Sequence, residues 1–174
     1  MSSPRWITAT VVVAAAVGLS APSVAAAPTP GSADAAFAQA VHQGNLAEIA
    51  AGQDAQKNGQ DSCVKEVGAT LVRDHTELDA EVARLAEKGK VQLPATPTPA
   101  QQAALNKVKA LAGSTGYDKA WLAAQEDGHT KTLALIDKQI RDGKDAETAS
   151  AAKKARPVVA MHLAMVRGGT CHIA

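Results

Sequence analysis

The row Val64, Leu71, Leu78 and Leu85 constrains this chain most, because apolar residues spaced by sevens return to one side of an α-helix after two turns. A strand would need alternation with a period of two, and no such run of useful length occurs. Gly68, His75 and Val82 form a companion row, so the segment from about Ser62 to Lys88 reads as one long helix. Three more segments carry the same period. About Ala33 to Asn58 places Phe37, Val41, Gly44, Glu48 and Ala55 on one stripe; about Tyr117 to Asp142 aligns Leu122, Gln125, His129, Leu133, Ile136 and Ile140. About Asp145 to Gly168 aligns Val158 or Val159, His162 and Met165 or Val166. Pro99 to Ala112 reads as a short connecting helix. Pro157 removes a backbone donor about a turn before His162 and is expected to bend the last helix there.

A helix with one apolar stripe must bury it against others, and four long ones are enough to enclose a core. Hydrophobic residues make up 46% of the chain but aromatics only 2%, so the core must be built from Ala, Leu and Val, which suits closely packed helices. The expected class is therefore all-α, in one domain. Residues 28–33 read as a flexible lead-in to a bundle over 34–174, and Gly89 to Pro99, with three prolines, as the other linker.

Residues 1–27 read as a signal peptide: Arg5 supplies the positive start, Ile7 to Leu19 the apolar stretch, and Pro22 to Ala27 a small-residue exit. Pro28 would hinder cutting after Ala27, which favours cleavage after Ala25 or Ala26. The stretch is short for a bilayer span, and no cysteine follows it to take a lipid. A secreted or periplasmic product without a transmembrane anchor is expected. Of the 18 basic residues only Arg5 lies in the leader, with none of the 17 acidic ones, so the mature chain balances 17 against 17. Lys and Arg interleave with Asp and Glu and there is almost nothing to stack on bases, so no nucleic-acid partner is expected.

A set of residues in order gives a resemblance: Phe37, Glu48 and Gly52, then Val72-Arg73-Asp74-His75-Thr76, then Gly89 to Pro94, then Tyr117-Asp118-Lys119-Ala120-Trp121, then His129, then Pro157 and Met161-His162-Leu163. In that order and spacing the chain resembles the bacterial family called domain of unknown function 4142, often labelled an outer membrane protein. The resemblance implies an exported, ferritin-like four-helix bundle with a long crossover between its second and third long helices, the crossover holding the short extra helix, and no established activity. Neither barrel strands nor a lipid anchor can be found, so the outer-membrane label is not carried over.

The two cysteines, Cys63 and Cys171, are expected to pair in an oxidising compartment. In a simple up-down-up-down bundle they would lie on the order of 35 to 40 Å apart, far beyond the roughly 6 Å between Cα atoms that a disulfide allows. If the connection from Gly89 to Gly116 crosses the length of the bundle, they meet at one end.

Chemistry is concentrated in four polar residues at core positions, one from each long helix: Glu48, His75, His129 and His162. Burying them without partners is costly. Counted from the Cys63 end, Glu48, His75 and His129 fall at roughly 15 to 20 Å depth and His162 at roughly 9 Å, so His162 is expected to sit loosely above the rest. Two readings follow. One is a hydrogen-bonded layer that fixes helix register, with Asp74, Gln125 and Glu126 as supports. The other is a site for zinc, copper or iron, whose nitrogen and oxygen ligands these residues match. Di-iron bundles use Glu-x-x-His on two helices, whereas here only Glu126 and His129 keep that spacing, so ferroxidase chemistry is disfavoured.

Remaining motifs read as structure. Asp74-His75 lacks a nucleophile on a sharp turn. Glu77, Asp79, Glu81, Arg84 and Glu87 read as the solvated face of the second helix, His42 as outward-facing, His172 as tail, and Met161 with Met165 as packing. No catalytic residue is assigned. The sequence favours an exported structural or interaction protein of unknown ligand and partner, with a metal-binding or metal-buffering protein as the alternative.

Overall fold

The computed structural model describes residues 32–173, so the leader and most of the lead-in lie outside the described residues. Within them the chain forms α1 (Ser32–Asn58), α2 (Ser62–Gly89), α3 (Pro99–Lys109), α4 (Tyr117–Asp142) and α5 (Ala146–Val166), then a short turn, Arg167–Gly169. No strand is present among the described residues.

Helix ends follow from local chemistry. Asp61 caps α2 by accepting from the Cys63 N–H at 2.9 Å, and Asp145 caps α5 by accepting from Thr148 at 2.7 Å. Thr98 and Gln101 cap each other at the start of α3, with Pro99 in the first turn where a missing donor costs nothing. At its far end α3 gives way to turns in which Leu111 and Ala112 donate to Val108 and Lys109, so it is shorter than the apolar spacing suggests. Lys90 ends α2 in the left-handed region at φ 54°, the one non-glycine residue with positive φ among those described.

Contacts between helix ends give the path of the chain. The Asp118 carboxylate at the start of α4 accepts the Gln60 and Asp61 N–H groups of the α1–α2 turn. At the other end, Asp34 near the start of α1 accepts from Gln139 and from the Lys144 and Asp145 backbone, and Lys88 at the end of α2 pairs with Glu147 at the start of α5. The path is therefore up, down, down, up, and the connection carrying α3 runs the length of the bundle. Cys63 and Cys171 meet at the upper end in a disulfide, their Cα atoms 6.0 Å apart.

α1 and α2 cross backbone to backbone. A Cβ on Gly52 would lie 2.5 Å from the Gly68 oxygen, and one on Gly68 would lie 2.8 Å from the Gly52 oxygen. That approach rotates α1 away from the expected stripe: Phe37 and Ala55 are buried, but so are Ala38, Asn45 and Ala51, while Val41, Gly44 and Glu48 are only half-buried. Two apolar clusters fill the interior. The upper one holds Val64, Val67, Leu71, Tyr117, Trp121 and Val166 beside the disulfide; the lower one holds Phe37, Ile136, Ala152 and Val159. Histidines lie between them.

Candidate metal centre

One turn past Leu71 the inward row of α2 places His75 in the interior, and α4 and α5 place His129 and His162 against it. The three imidazoles are 2%, 1% and 0% exposed, with ring centroids 5.1 to 5.6 Å apart. His162 is thus a full member of the layer, correcting the expectation that it sits higher. The reason lies in the tail: α5 stops at Val166, and the chain loops until the His172 N–H donates to the Met165 carbonyl. The helix end therefore lies below the rim, and His162, one turn before it, comes level with its partners.

Each ring is held by one nitrogen. His75 Nδ1 bonds Asn45 Oδ1 at 2.9 Å, His129 Nδ1 bonds the Gln125 backbone oxygen at 2.9 Å, and His162 Nε2 bonds Asp74 Oδ2 at 2.9 Å. A carbonyl or carboxylate oxygen can only accept, so the ring nitrogen carries the hydrogen in the last two. The Asn45 amide is oriented by its own donation to Asp79 Oδ1 at 3.4 Å, which turns its oxygen to His75 and makes His75 a donor as well. In a neutral ring the other nitrogen is then a bare lone pair. Those nitrogens, His75 Nε2, His129 Nε2 and His162 Nδ1, are all buried without a hydrogen-bond partner. The rings offer one nitrogen apiece within 4.8 Å of one another.

Burial, together with the neighbouring rings, pushes the His75 pKa down to about 2. His162 is also lowered by burial, although its bond to Asp74 opposes the shift. Burial alone would raise Asp74, but hydrogen bonds from Arg73 and His162 outweigh it and hold the carboxyl below its usual range. These shifts favour the neutral form of the His75 and His162 rings.

The family described as domain of unknown function (DUF4142) matches residues 19–168. This chain belongs to that family. The match takes in all five helices and begins inside the segment read as a leader. No curated protein and no solved structure matches the chain.

Other expected members of the site in this DUF4142 chain sit differently. Glu48 is not among the residues that converge: its Oε1 lies 4.0 Å from His129 Nδ1, on the ring's bonded side, and Oε2 is sealed without a partner. Burial raises the Glu48 pKa, with His129 opposing. α1 is rotated by the glycine crossing, which brings Asn45 rather than Glu48 to His75. Gln125 serves His129 through its backbone, leaving its own Oε1 unpartnered, and Glu126 instead accepts the Gly168 N–H at 3.1 Å.

Asn45 is the residue that sequence reasoning missed, although an amide in mid-helix one turn before Glu48 was a usable signal. His42 and Asp79 also differ from their expected outward placement. Both are half-buried; His42 Nδ1 lies 2.7 Å from Asp79 Oδ1, and its Nε2 donates to the Pro94 oxygen at 3.0 Å. They clamp α1 to α2 and to the start of the crossover, and support Asn45 from behind.

Proposed function

We propose that this protein binds one transition-metal ion through His75, His129 and His162, in a ferritin-like bundle working outside the cytoplasm. One observation carries the reading. Five buried side-chain atoms among the described residues lack a hydrogen-bond partner, and three of them are imidazole nitrogens of these rings. A purely hydrogen-bonded layer would have to supply donors to those nitrogens, and no described side chain does. A cation supplies what they lack.

The donor set fits such an ion. A triangle whose edges are at most 4.8 Å has a centre no more than about 2.8 Å from each corner, and zinc–nitrogen bonds are about 2.0 to 2.1 Å, so each ring need draw in by at most about 0.7 Å. Nitrogen-rich sites select zinc or copper, and iron less so, over magnesium or calcium. Asn45, the Gln125 carbonyl and Asp74 each hold the far nitrogen of one ligand, which fixes the tautomer, and Asp74 adds negative charge behind His162. The described side chains supply three ligands, leaving a further position for water or an exogenous group. Ferritin-like arrangement is supported by the up, down, down, up path. Export is supported by the leader reading and the disulfide, and among the described residues no helix is long and apolar enough to cross a membrane. The sequence favoured a structural layer; the unpartnered nitrogens favour the ion.

The test is elemental analysis of protein stripped with chelator, reloaded with zinc or copper and freed of excess. About one equivalent per chain is expected, and close to none in variants carrying His75→Ala, His129→Ala or His162→Ala. Folded wild-type protein that retains no ion overturns the reading.

A further inference from the structure

The histidine layer is walled as well as buried. Its bare nitrogens, His75 Nε2, His129 Nε2 and His162 Nδ1, are each sealed from solvent, so the position that three ligands leave over is closed by protein. One turn above the layer stand Leu71 and Val166 of the upper apolar cluster, and one turn below it Leu78 and Val159 of the lower one. Neither cluster offers a donor.

The acidic groups at the layer do not reach its centre. No further His, Cys, Asp or Glu among the described residues joins the three rings. Asp74 Oδ2 stands on the Nε2 side of His162 and Glu48 Oε1 on the Nδ1 side of His129, and in both rings that is the nitrogen turned away from the bare one. Asp74 also shares its charge with Arg73 at 2.7 Å. An ion among the three nitrogens therefore meets neutral donors.

A donor set that is neutral, three-membered and dry discriminates among the ions that imidazole suits. Zinc in closed sites is almost always four-coordinate and tetrahedral, and Cu(II) takes a tetragonal set, so each asks for a ligand these walls do not supply. Both also bring two charges. The Born cost of taking an ion out of water rises as the square of its charge, so a monovalent ion of like size costs about a quarter as much. Cu(I) carries one charge and, with a filled d shell, is satisfied by three nitrogens in a plane.

We infer that the layer selects a cuprous ion, held in trigonal coordination by His75, His129 and His162, over zinc and other divalent ions. This rests on the metal reading and narrows it.

The test compares affinities of chelator-treated full-length protein in oxygen-free buffer. Cu(I), kept reduced by ascorbate, is measured by competition with bicinchoninate, and zinc by competition with a chromophoric chelator. Cu(I) is expected to bind at about one equivalent per chain and at least about a hundredfold more tightly than zinc. X-ray absorption of the copper-loaded protein should show three nitrogen neighbours and no fourth ligand. His129→Gln should weaken Cu(I) binding by at least about a hundredfold, which separates the layer from exposed donors such as Met161 and His172. His75→Gln is the second variant, and circular dichroism shows which is folded. Zinc affinity equal to or above that of Cu(I), a four-coordinate copper ion, or unchanged Cu(I) binding in a folded variant overturns the inference. The first two outcomes leave the metal reading standing, because an ion is still bound; retention of neither ion ends both.

Discussion

At the disulfide end, Tyr117 and Trp121 are as deeply buried as the histidines, yet every polar atom they carry is used: the Tyr117 hydroxyl donates to Asp54 at 2.6 Å and Trp121 Nε1 donates to the Ala51 oxygen at 3.0 Å. Burial and that bond raise the Tyr117 pKa, fixing it as a donor. Below, in the layer of His75, His129 and His162, each ring has one satisfied nitrogen and one bare one. Both regions are sealed, but only the first is chemically complete. A side chain that exists to hold the fold finds its partner within the fold, whereas one that exists to hold something else keeps an atom in reserve.

The comparison breaks most forcefully at the disulfide. Replacing Cys63 and Cys171 by serine opens a constraint spanning 108 residues and is expected to remove about 4 to 5 kcal/mol of stability, read from urea unfolding. Metal stoichiometry in the refolded variant should be unchanged, since neither cysteine touches the layer. A loss below about 1 kcal/mol would show that the tail is held without the bond, and loss of the metal would show that the two regions are one unit.

The converse experiment completes the layer and leaves the disulfide end alone. Zinc at a hundredfold excess over its dissociation constant should raise stability by about 2.7 kcal/mol. Tyr117→Phe should lower baseline stability by about 1 to 3 kcal/mol, by leaving Asp54 with an empty acceptor, yet keep the full zinc increment. His129→Ala should lose the increment. If Tyr117→Phe also loses it, the distinction between the regions fails.

How much of this was legible before the structure depends on what each helix shows in its own pattern. α2 carries large apolar residues on one side, so the inward position of His75 followed from spacing alone. The cysteines decided the path of the chain, because only a crossover brings Cys63 to Cys171. α1 was the opaque one. Its alanines, glycines and glutamines lie all round the helix, so its rotation is set by the Gly52–Gly68 crossing, a contact between distant residues that no periodicity reveals. Hence Asn45 was overlooked as the partner of His75, and Glu48 was expected among donors that only the three histidines supply. The level of His162 was hidden for a related reason: it depends on where α5 stops and its tail turns back.

Acid probes the layer more gently. The folded pKa of His75 is far below its unfolded value of about 6.5, and that of His162 is lowered too, so the folded state binds fewer protons than the unfolded one. Their contribution is therefore full above about pH 6.5 and declines below it, by about 1.7 kcal/mol for His75 between pH 6.5 and 5. Urea unfolding of metal-free protein at those two values should show the slope, and His75→Gln should flatten it. An unchanged slope in His75→Gln would mean that the ring titrates alike in both states.

The smallest expected change in stability is also the most specific. Asn45→Ala removes the oxygen to which His75 Nδ1 donates, at a cost of about 1 kcal/mol in the metal-free protein, because one neutral hydrogen bond is lost and a donor is left buried. Its effect on the metal should be disproportionate. Without Asn45 the His75 ring is free to take the other tautomer, which puts a hydrogen on Nε2 and withdraws the lone pair an ion needs. Zinc affinity, measured by competition with a chromophoric chelator, should fall by about ten- to a hundredfold. Asn45→Asp restores an acceptor at the same place and should recover most of the affinity. If Asn45→Ala and Asn45→Asp bind zinc as well as the wild type, the bonds behind the rings do not set the tautomers, and the bare nitrogens of the layer would need another explanation.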